Sequence, residues 1–288
     1  MATLNIKQQA TNKAKHTAGN FKRATANPWV ERLERFGYIT RGVVYATIGI
    51  LALQLALGTG GAATTQTGAI ARLGGQPFGK ALLILIAVGL ASYSLWGFIR
   101  AIFDPLHRGN NLQGRFERVG FAFSGLSYGL LVIPTVQFIM NQGASQQVGG
   151  SADISAQLFK LPFGMGLVVG FGLFWIGIGL WQLYTAYRGA FMKDFQVDKM
   201  SASERTWATR LGKFGHAARG IVFAVIGVLI VEAALAHNPS QAQGFDSALL
   251  RLAQAPYGML VLGGVALGLV AFGIYSAFSA RWIKVRAA

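Results

Sequence analysis

Six long apolar segments alternate with short polar ones along the chain. They cover residues 38–57, 79–103, 119–140, 162–187, 217–236 and 257–281. Each is long enough to cross the hydrocarbon core of a bilayer, which is ~30 Å thick and takes ~20 residues of helix. The pattern therefore predicts an all-α integral membrane protein with six transmembrane helices.

The positions of lysine and arginine predict how these helices are oriented. Of the 26 such residues, only four lie in or next to the segments that join the two spans of a pair, and these are Arg72, Lys80, Lys160 and Arg251. The other 22 lie at the chain ends, in the segments between the second and third and between the fourth and fifth spans, or in the adjoining ends of the spans. Because positively charged segments stay inside, we expect both termini in the cytoplasm, with the basic N-terminal tail on anionic headgroups at the cytoplasmic face.

A phrase that occurs three times divides the chain into repeats. Proline, an aromatic residue and glycine open the second, fourth and sixth spans, at Pro77, Pro162 and Pro256. A pair of glycines with constant spacing stands at nearly the same distance before each proline. These pairs are Gly37 and Gly42, Gly120 and Gly125, and Gly215 and Gly220. We expect the glycines to permit close helix packing, and each proline to lie in the first helical turn.

The repeats give a domain organisation. We predict a basic cytoplasmic tail at 1–30, repeat 1 at 31–108, repeat 2 at 109–190, a cytoplasmic linker at 191–213, and repeat 3 with a short C-terminus at 214–288. Each repeat begins and ends on the same side, so the copies run parallel and pack most simply around a pseudo-threefold axis. Between the two spans of each repeat, apolar residues at helical spacing predict a short interfacial helix on the exterior, capped by Asp153 in repeat 2 and by Asp246 or Ser247 in repeat 3.

Residues 33–283 resemble a bacterial membrane family that is catalogued as a domain of unknown function. The resemblance rests on the opening "FGYITRG" at 36–42, "FGHAARG" at 214–220, and the Pro-Phe/Tyr-Gly second span in three copies. It implies a six-helix fold built of three tandem two-helix repeats and a location in the bacterial cytoplasmic membrane. Copy two departs from the pattern, because Ser124 stands where the other copies have arginine. The resemblance implies no activity.

Arg41 and Arg219 occupy equivalent positions at the predicted entrance to the first span of their repeats. One interpretation is that their side chains extend to lipid phosphates and fix the orientation of the helix. The other is that they face inwards as a pair and bind an anionic headgroup or a carboxylate of a partner.

The repeat also aligns three polar residues deeper in the spans. Gln54, Gln137 and Glu232 stand at the same distance after the first repeat glycine of their copies. Around a threefold axis they would form a polar ring with one carboxylate. A cation or proton site is one interpretation, hydrogen bonding between helices is another, and Glu232 is also near enough to the exterior to reach water.

Composition excludes several classes of function. Charged residues make up 12% of the chain, about half of what is usual in soluble domains. The net charge of +16 lies between the apolar segments, so we expect no nucleic-acid partner. There is no cysteine, the four histidines are scattered, and no catalytic motif is recognisable. We therefore predict no catalytic residue, no cofactor, no metal and no enzymatic activity.

Two functions fit these features. The first is an accessory or assembly subunit, or a scaffold, that interacts with a larger membrane protein complex, since the predicted bundle is compact, the polar loops are small, the tail is basic and no catalytic set is recognisable. The second is a small ion, proton or solute transporter or channel that uses the polar ring. A centre filled by side chains would favour the first, and a hydrated centre the second. An enzyme acting on lipids would need polar residues clustered at one interface, and the sequence supplies no such cluster.

Overall fold

The computed structural model describes residues 28–105, 109, 111–140, 151–238 and 244–284. These contain nine α-helices, which are α1 Pro28–Ala56, α2 Gln66–Gly74, α3 Gly79–Phe103, α4 Leu112–Ile139, α5 Ser151–Phe159, α6 Gly164–Arg188, α7 Ala202–Leu235, α8 Phe245–Gln254 and α9 Gly258–Trp282. Two 3₁₀ helices, Ala190–Asp194 and Val197–Lys199, join α6 to α7. The N-terminal tail predicted at 1–30 lies outside the described residues except for its last three.

Six of the helices are long and apolar enough to cross a membrane, as predicted. They are α1, α3, α4, α6, α7 and α9, and the protein is therefore a multi-pass membrane protein in contact with the lipid bilayer. The first span of each repeat begins well before its apolar segment, at Pro28, Leu112 and Ala202. The spans predicted from hydropathy did not include these N-terminal extensions, because their residues are polar. The one on α7 is held by a capping box in which the Ser201 hydroxyl accepts from the Glu204 backbone and Glu204 accepts from the Ser201 backbone.

The short helices α2, α5 and α8 confirm the three predicted between paired spans. The N-cap predicted for α8 is wrong, because that helix begins at Phe245 and its cap is Gly244. Asp246 lies in the first turn instead. The side chain of Asp153 lies outside the described residues. We call the side of the bundle with these helices the short-helix side, and the opposite side, where α1, α4 and α7 begin, the terminal side.

The Pro-aromatic-Gly phrase forms the turn from each short helix into the second span. The proline precedes the helix, so its predicted place in the first turn is wrong: α9 begins at Gly258, after Pro256 and Tyr257. Tyr257 is left-handed at φ 56°, and Phe78 and Phe163 adopt the same conformation. Glycine follows because a Cβ on Gly258 would overlap the carbonyl oxygen of Ala253 in α8. The three aromatic residues are 82–91% exposed, which suits the membrane interface.

The second span of each repeat packs along the first span of the next one, and the last on the first. The pairs are α3 with α4, α6 with α7, and α9 with α1. Repeat glycines lie at these crossings. A Cβ on Gly42 would lie 2.7 Å from the carbonyl oxygen of Gly273, and one on Gly220 would lie 2.9 Å from that of Gly179. Backbones approach this closely only because neither helix carries a side chain at the contact.

Packing within a repeat differs between the copies. In repeats 1 and 3 the two spans pack together, with Gly37 against Tyr93 and Gly215 against Phe272. In repeat 2 the described residues of α4 and α6 form no comparable interface, and a Cβ on Gly120 would meet no atom within 4 Å. Repeat 2 is therefore open at Gly120, and its two spans meet through the Phe123 ring, at centroid distances of 5.3 and 5.7 Å from Phe174 and Trp175. The cyclic pairing is compatible with a threefold axis, and that arrangement stays a prediction.

Side chains cover both ends of the bundle centre. On the short-helix side, the buried ring of Phe245 lies edge-on to Tyr45 and to Phe223, at centroid distances of 6.2 and 6.4 Å. On the terminal side, Phe191 and Phe195 of the segment after α6 pack against Tyr275. This segment is tied to the end of α9 by the backbone hydrogen bond from Gln196 N to the Trp282 carbonyl, at 2.7 Å.

Candidate functional site

Arg41 lies inside the bundle. The residue is 8% exposed, its Nε donates to Ser276 Oγ at 3.0 Å, and its Nη1 donates to the Tyr93 hydroxyl. The guanidinium carbon lies 4.7–5.0 Å from the ring centroids of Tyr38, Tyr93 and Phe272. The interpretation in which Arg41 extends to lipid phosphates is therefore wrong, because its donors point into the protein.

Arg219 of repeat 3 lies on the same Phe272 ring. Its guanidinium carbon is 4.3 Å from the Phe272 centroid, 5.0 Å from that of Tyr45 and 4.9 Å from that of Phe223. Its Nε is buried and has no hydrogen-bond partner among the described residues. Because both guanidinium groups contact one phenylalanine ring, the structure brings the two predicted arginines together as an inward-facing pair.

The positive charge of this pair is not balanced by a carboxylate in the part of the chain that the structure describes. The guanidinium carbons of Arg41 and Arg219 lie 5.0 and 4.3 Å from the same Phe272 centroid, so they are at most about 10 Å apart. Two like charges at that distance repel by about 2 kcal/mol at an effective dielectric constant of about 20. Cation–π contacts with five rings offset some of the cost of burial, at about 0.5–2 kcal/mol each. They do not remove the net charge, which is unusual inside a membrane and points to function.

Further polar groups border the arginine pair. Ser124, the counterpart of the arginines in repeat 2, lies next to the Tyr93 hydroxyl. The Tyr128 hydroxyl is buried without a partner in the part of the chain that the structure describes, and Tyr128 is close to the charges of both arginines. His216 Nδ1 is 2.7 Å from Gln182 Oε1, while its Nε2 is buried and unpartnered. We call the set of Arg41, Arg219, Tyr128 and His216 the arginine cluster.

The recurrence that places these residues is also found in other proteins. The family described as Domain of Unknown Function (DUF1206) matches the chain three times, at residues 36–104, 119–189 and 214–282. The chain belongs to this family. It is 35% identical over 251 residues to a protein of Bacillus subtilis (strain 168) described as "Uncharacterized protein YxxB", a match that covers 86% of this chain and 90% of that protein. No solved structure matches the chain.

The three DUF1206 matches coincide with the two-helix repeats, so the family unit is one pair of spans. Repeat 2 departs from the other units at two positions of the site. Ser124 replaces the arginine, and Ile178 replaces the ring that repeats 1 and 3 carry at the same distance after the proline, as Tyr93 and Phe272. In the other copies the backbone and Cβ of this residue lie against the first repeat glycine, whereas a Cβ on Gly120 would meet no described atom within 4 Å.

Sequence reasoning missed a second charged site close to the arginine cluster. Arg100 Nη2 donates to Glu34 Oε1 at 2.8 Å, and the side chains are 6% and 1% exposed. The pair joins α1 to α3 within repeat 1. Glu34 lies in the polar extension of α1 that hydropathy assigned to the cytoplasm, so the sequence offered no signal that it is buried. Arg100 sits at the end of an apolar run and also gave none.

The three residues predicted to form a polar ring occupy different surroundings. Glu232 is half-exposed and its Oε1 lies 3.5 Å from Arg251 Nη2 of α8. Gln54 is exposed, and Gln137 is half-buried with its Oε1 unpartnered. No hydrogen bond joins these three side chains among those that the structure records for the described residues, and the ring stays a prediction. The same residues contain no group of three or more histidine, aspartate or glutamate side chains that could hold a metal ion.

Proposed function

We propose that this protein is a non-enzymatic accessory or assembly subunit of a larger membrane protein complex, placed in the bacterial cytoplasmic membrane with both termini inside. The observation that carries the proposal is the uneven coverage of the spans. In the most apolar part of each span of repeat 2, 22% of residues are buried, against 44% in repeat 1 and 56% in repeat 3. The spans of repeat 2 therefore offer a large apolar surface that the described part of the chain leaves uncovered.

The outer face of α6 suits a transmembrane helix of a partner. Gly166, Gly170 and Gly177 are spaced by four and seven residues and so lie on one face of the helix. A Cβ at any of the three would meet no atom within 4 Å, whereas Gly172 and Gly179, on the other face, pack against α7. Small residues at this spacing let two helices approach closely in lipid, where hydrophobicity provides no drive for association.

Transport through the bundle has less support. Large side chains fill the region between α1, α7 and α9, where Tyr45, Ile48, Leu269 and Phe272 are at most 2% exposed. Glu232 has Arg251 as a partner on the short-helix side, so its charge is accounted for without a transported cation. A transporter role would rest on the alignment of Gln54, Gln137 and Glu232 by the repeat.

A photocrosslinking amino acid tests the partner face with controls that the repeats provide. Leu173, Leu267 and Val88 stand at equivalent positions after their prolines and are 57%, 49% and 47% exposed. Placed at Leu173 in the native membrane, the crosslinker is expected to give one discrete adduct with another membrane protein. At Leu267 and Val88 it should label lipid. Equal protein adducts at all three positions, or none at Leu173, would contradict the proposal.

A further inference from the structure

We propose that the arginine cluster binds the oxyanion of a membrane amphiphile, a phosphate or carboxylate whose hydrocarbon chain lies between α4 and α6. The first support is the set of polar atoms that lack partners. Arg219 Nε and the Tyr128 hydroxyl, which can both donate, are buried without a hydrogen bond among the described residues. Buried polar groups are nearly always paired in folded proteins, so two together, around an unbalanced charge, indicate an absent occupant.

The chemistry of these groups selects an anion with several acceptor oxygens. A guanidinium carries five N–H donors and no acceptor, and it binds carboxylate and phosphate through two parallel hydrogen bonds. Tyr128 adds a hydroxyl donor that is close to both arginines. Three rings lie 4.3–5.0 Å from the guanidinium carbon of Arg219, and its Nε–H, which has no partner among the described residues, can donate to an oxygen. The two positive charges would repel a cation from this position.

The packing of the bundle decides where the anion comes from. Phe245 covers the cluster on the short-helix side, and Phe191 covers it on the terminal side, with its ring stacked on His216 at a centroid distance of 5.1 Å. The side between α4 and α6 is closed by the Phe123 ring, which lies 5.3 Å from Phe174 and 5.7 Å from Trp175 between centroids, and it is open beside these rings at Gly120. Ser124 and Arg219 are accordingly half-buried, although both lie within membrane-spanning helices. A ligand that enters here comes from the bilayer.

The depth of the cluster fits a headgroup drawn slightly inwards. Arg41 and Arg219 lie in the middle of α1 and α7, which end on the short-helix side at Ala56 and Leu235. At a rise of about 1.5 Å per residue, each arginine is about 22–24 Å from that end of its helix. In a hydrocarbon core ~30 Å thick, the anion would therefore bind about 6–8 Å inside the boundary on the terminal side, within reach of an amphiphile whose chain stays in the bilayer.

Binding of defined amphiphiles to the purified full-length chain tests this site. The probes are dioleoyl phosphatidylglycerol, oleate, the neutral lipid dioleoyl phosphatidylcholine, and inorganic phosphate, each titrated in detergent with native mass spectrometry and thermal unfolding as readouts. We expect phosphatidylglycerol or oleate to bind at one site and raise the unfolding temperature. Arg219→Gln should weaken this binding at least about tenfold, the effect of one charge-assisted contact. Arg210→Gln, an exposed arginine on the same helix, should leave it unchanged.

A second variant keeps the test decisive if Arg219→Gln fails to fold. Ser124→Glu places a carboxylate at the third equivalent position, next to Tyr93, and so supplies an anion from the chain itself. We expect it to unfold at a higher temperature than the ligand-free wild type and to lose the response to amphiphiles. Unchanged binding in both variants would overturn the proposal. Saturation by inorganic phosphate with no response to either amphiphile would overturn the route from the bilayer.

Discussion

Removal of the Glu34 carboxylate is the perturbation whose cost follows most directly from the structure. Glu34 is 1% exposed, and its one recorded hydrogen bond is accepted from Arg100, which is 6% exposed. Glu34→Gln keeps the size of the side chain but leaves the guanidinium of Arg100 buried without an opposite charge. Arg100 then keeps a hydrogen bond to a neutral amide oxygen in place of the charged one, together with its ring contacts, with centroids of Tyr38, Trp96 and Phe121 at 5.2–5.7 Å.

The magnitude follows from what a buried charge costs when its partner is removed. Breaking a buried ion pair from one side typically destabilises a protein by about 3–5 kcal/mol. Replacing both members by apolar residues is often neutral, because the desolvation cost of both charges disappears with them. We therefore expect a loss of about 3–5 kcal/mol for Glu34→Gln and a recovery of most of it in the double variant Glu34→Leu/Arg100→Met.

Reversible unfolding in mixed detergent micelles, followed by circular dichroism, measures these free energies. The matched control is Glu31→Gln, which breaks the neighbouring pair with Arg35 at 2.6 Å, where the side chains are 42% and 29% exposed. An exposed pair on one helix is worth about 0.3–0.5 kcal/mol. A Glu34→Gln effect as small as that of Glu31→Gln would refute the reasoning, since it would mean that Arg100 is not buried.

Three further predictions concern packing and the charged surface. Gly42→Leu should separate α1 from α9 and lower the free energy of unfolding by about 1–3 kcal/mol or more. The control Gly264→Leu, at a glycine whose Cβ would meet no described atom, should lower it little. Equal losses in the two variants would contradict the contact between Gly42 and α9. Gly258→Ala should lower the free energy of unfolding by a similar amount, about 1–3 kcal/mol, because the added methyl group would overlap the end of α8. Full stability in this variant would show that the turn relaxes. Glu232→Gln should change the free energy of unfolding by less than about 1 kcal/mol, because its ion pair with Arg251 is exposed. If the wild type carries an ion flux in liposomes and this variant does not, the result would favour the transporter function.

The sequence predicted the elements that depend on periodicity. The spans, the three short helices and the repeat follow from the spacing of apolar residues, glycine and proline. The packing role of Gly42 and Gly220 also follows, because in lipid a glycine that recurs at one position has a close helix contact as its simplest cause. The start of the helix after each proline was misplaced, since the left-handed aromatic residue between proline and glycine has no signature in sequence.

The site was only partly predictable. The equivalence of Arg41 and Arg219 pointed to a pair, but which way the side chains face depends on Tyr93 and Phe272, which belong to other helices. The burial of Glu34 depends on Arg100, which belongs to the next span. Long-range contacts of this kind leave no local pattern. The opening of repeat 2 could have been suspected from Ser124, one of the two departures that the repeat makes visible.

The mass of the native assembly tests the central claim most directly, which is that this chain works as a subunit of a larger complex. The untagged protein, extracted gently from its own membrane, should run as a particle with other proteins, well above the 30.8 kDa of one chain. Gly170→Phe should release it from that particle, while Gly264→Phe, at the equivalent position of repeat 3 and also in open space, should not. A lone chain or a simple homo-oligomer in both the wild type and Gly170→Phe would contradict the account.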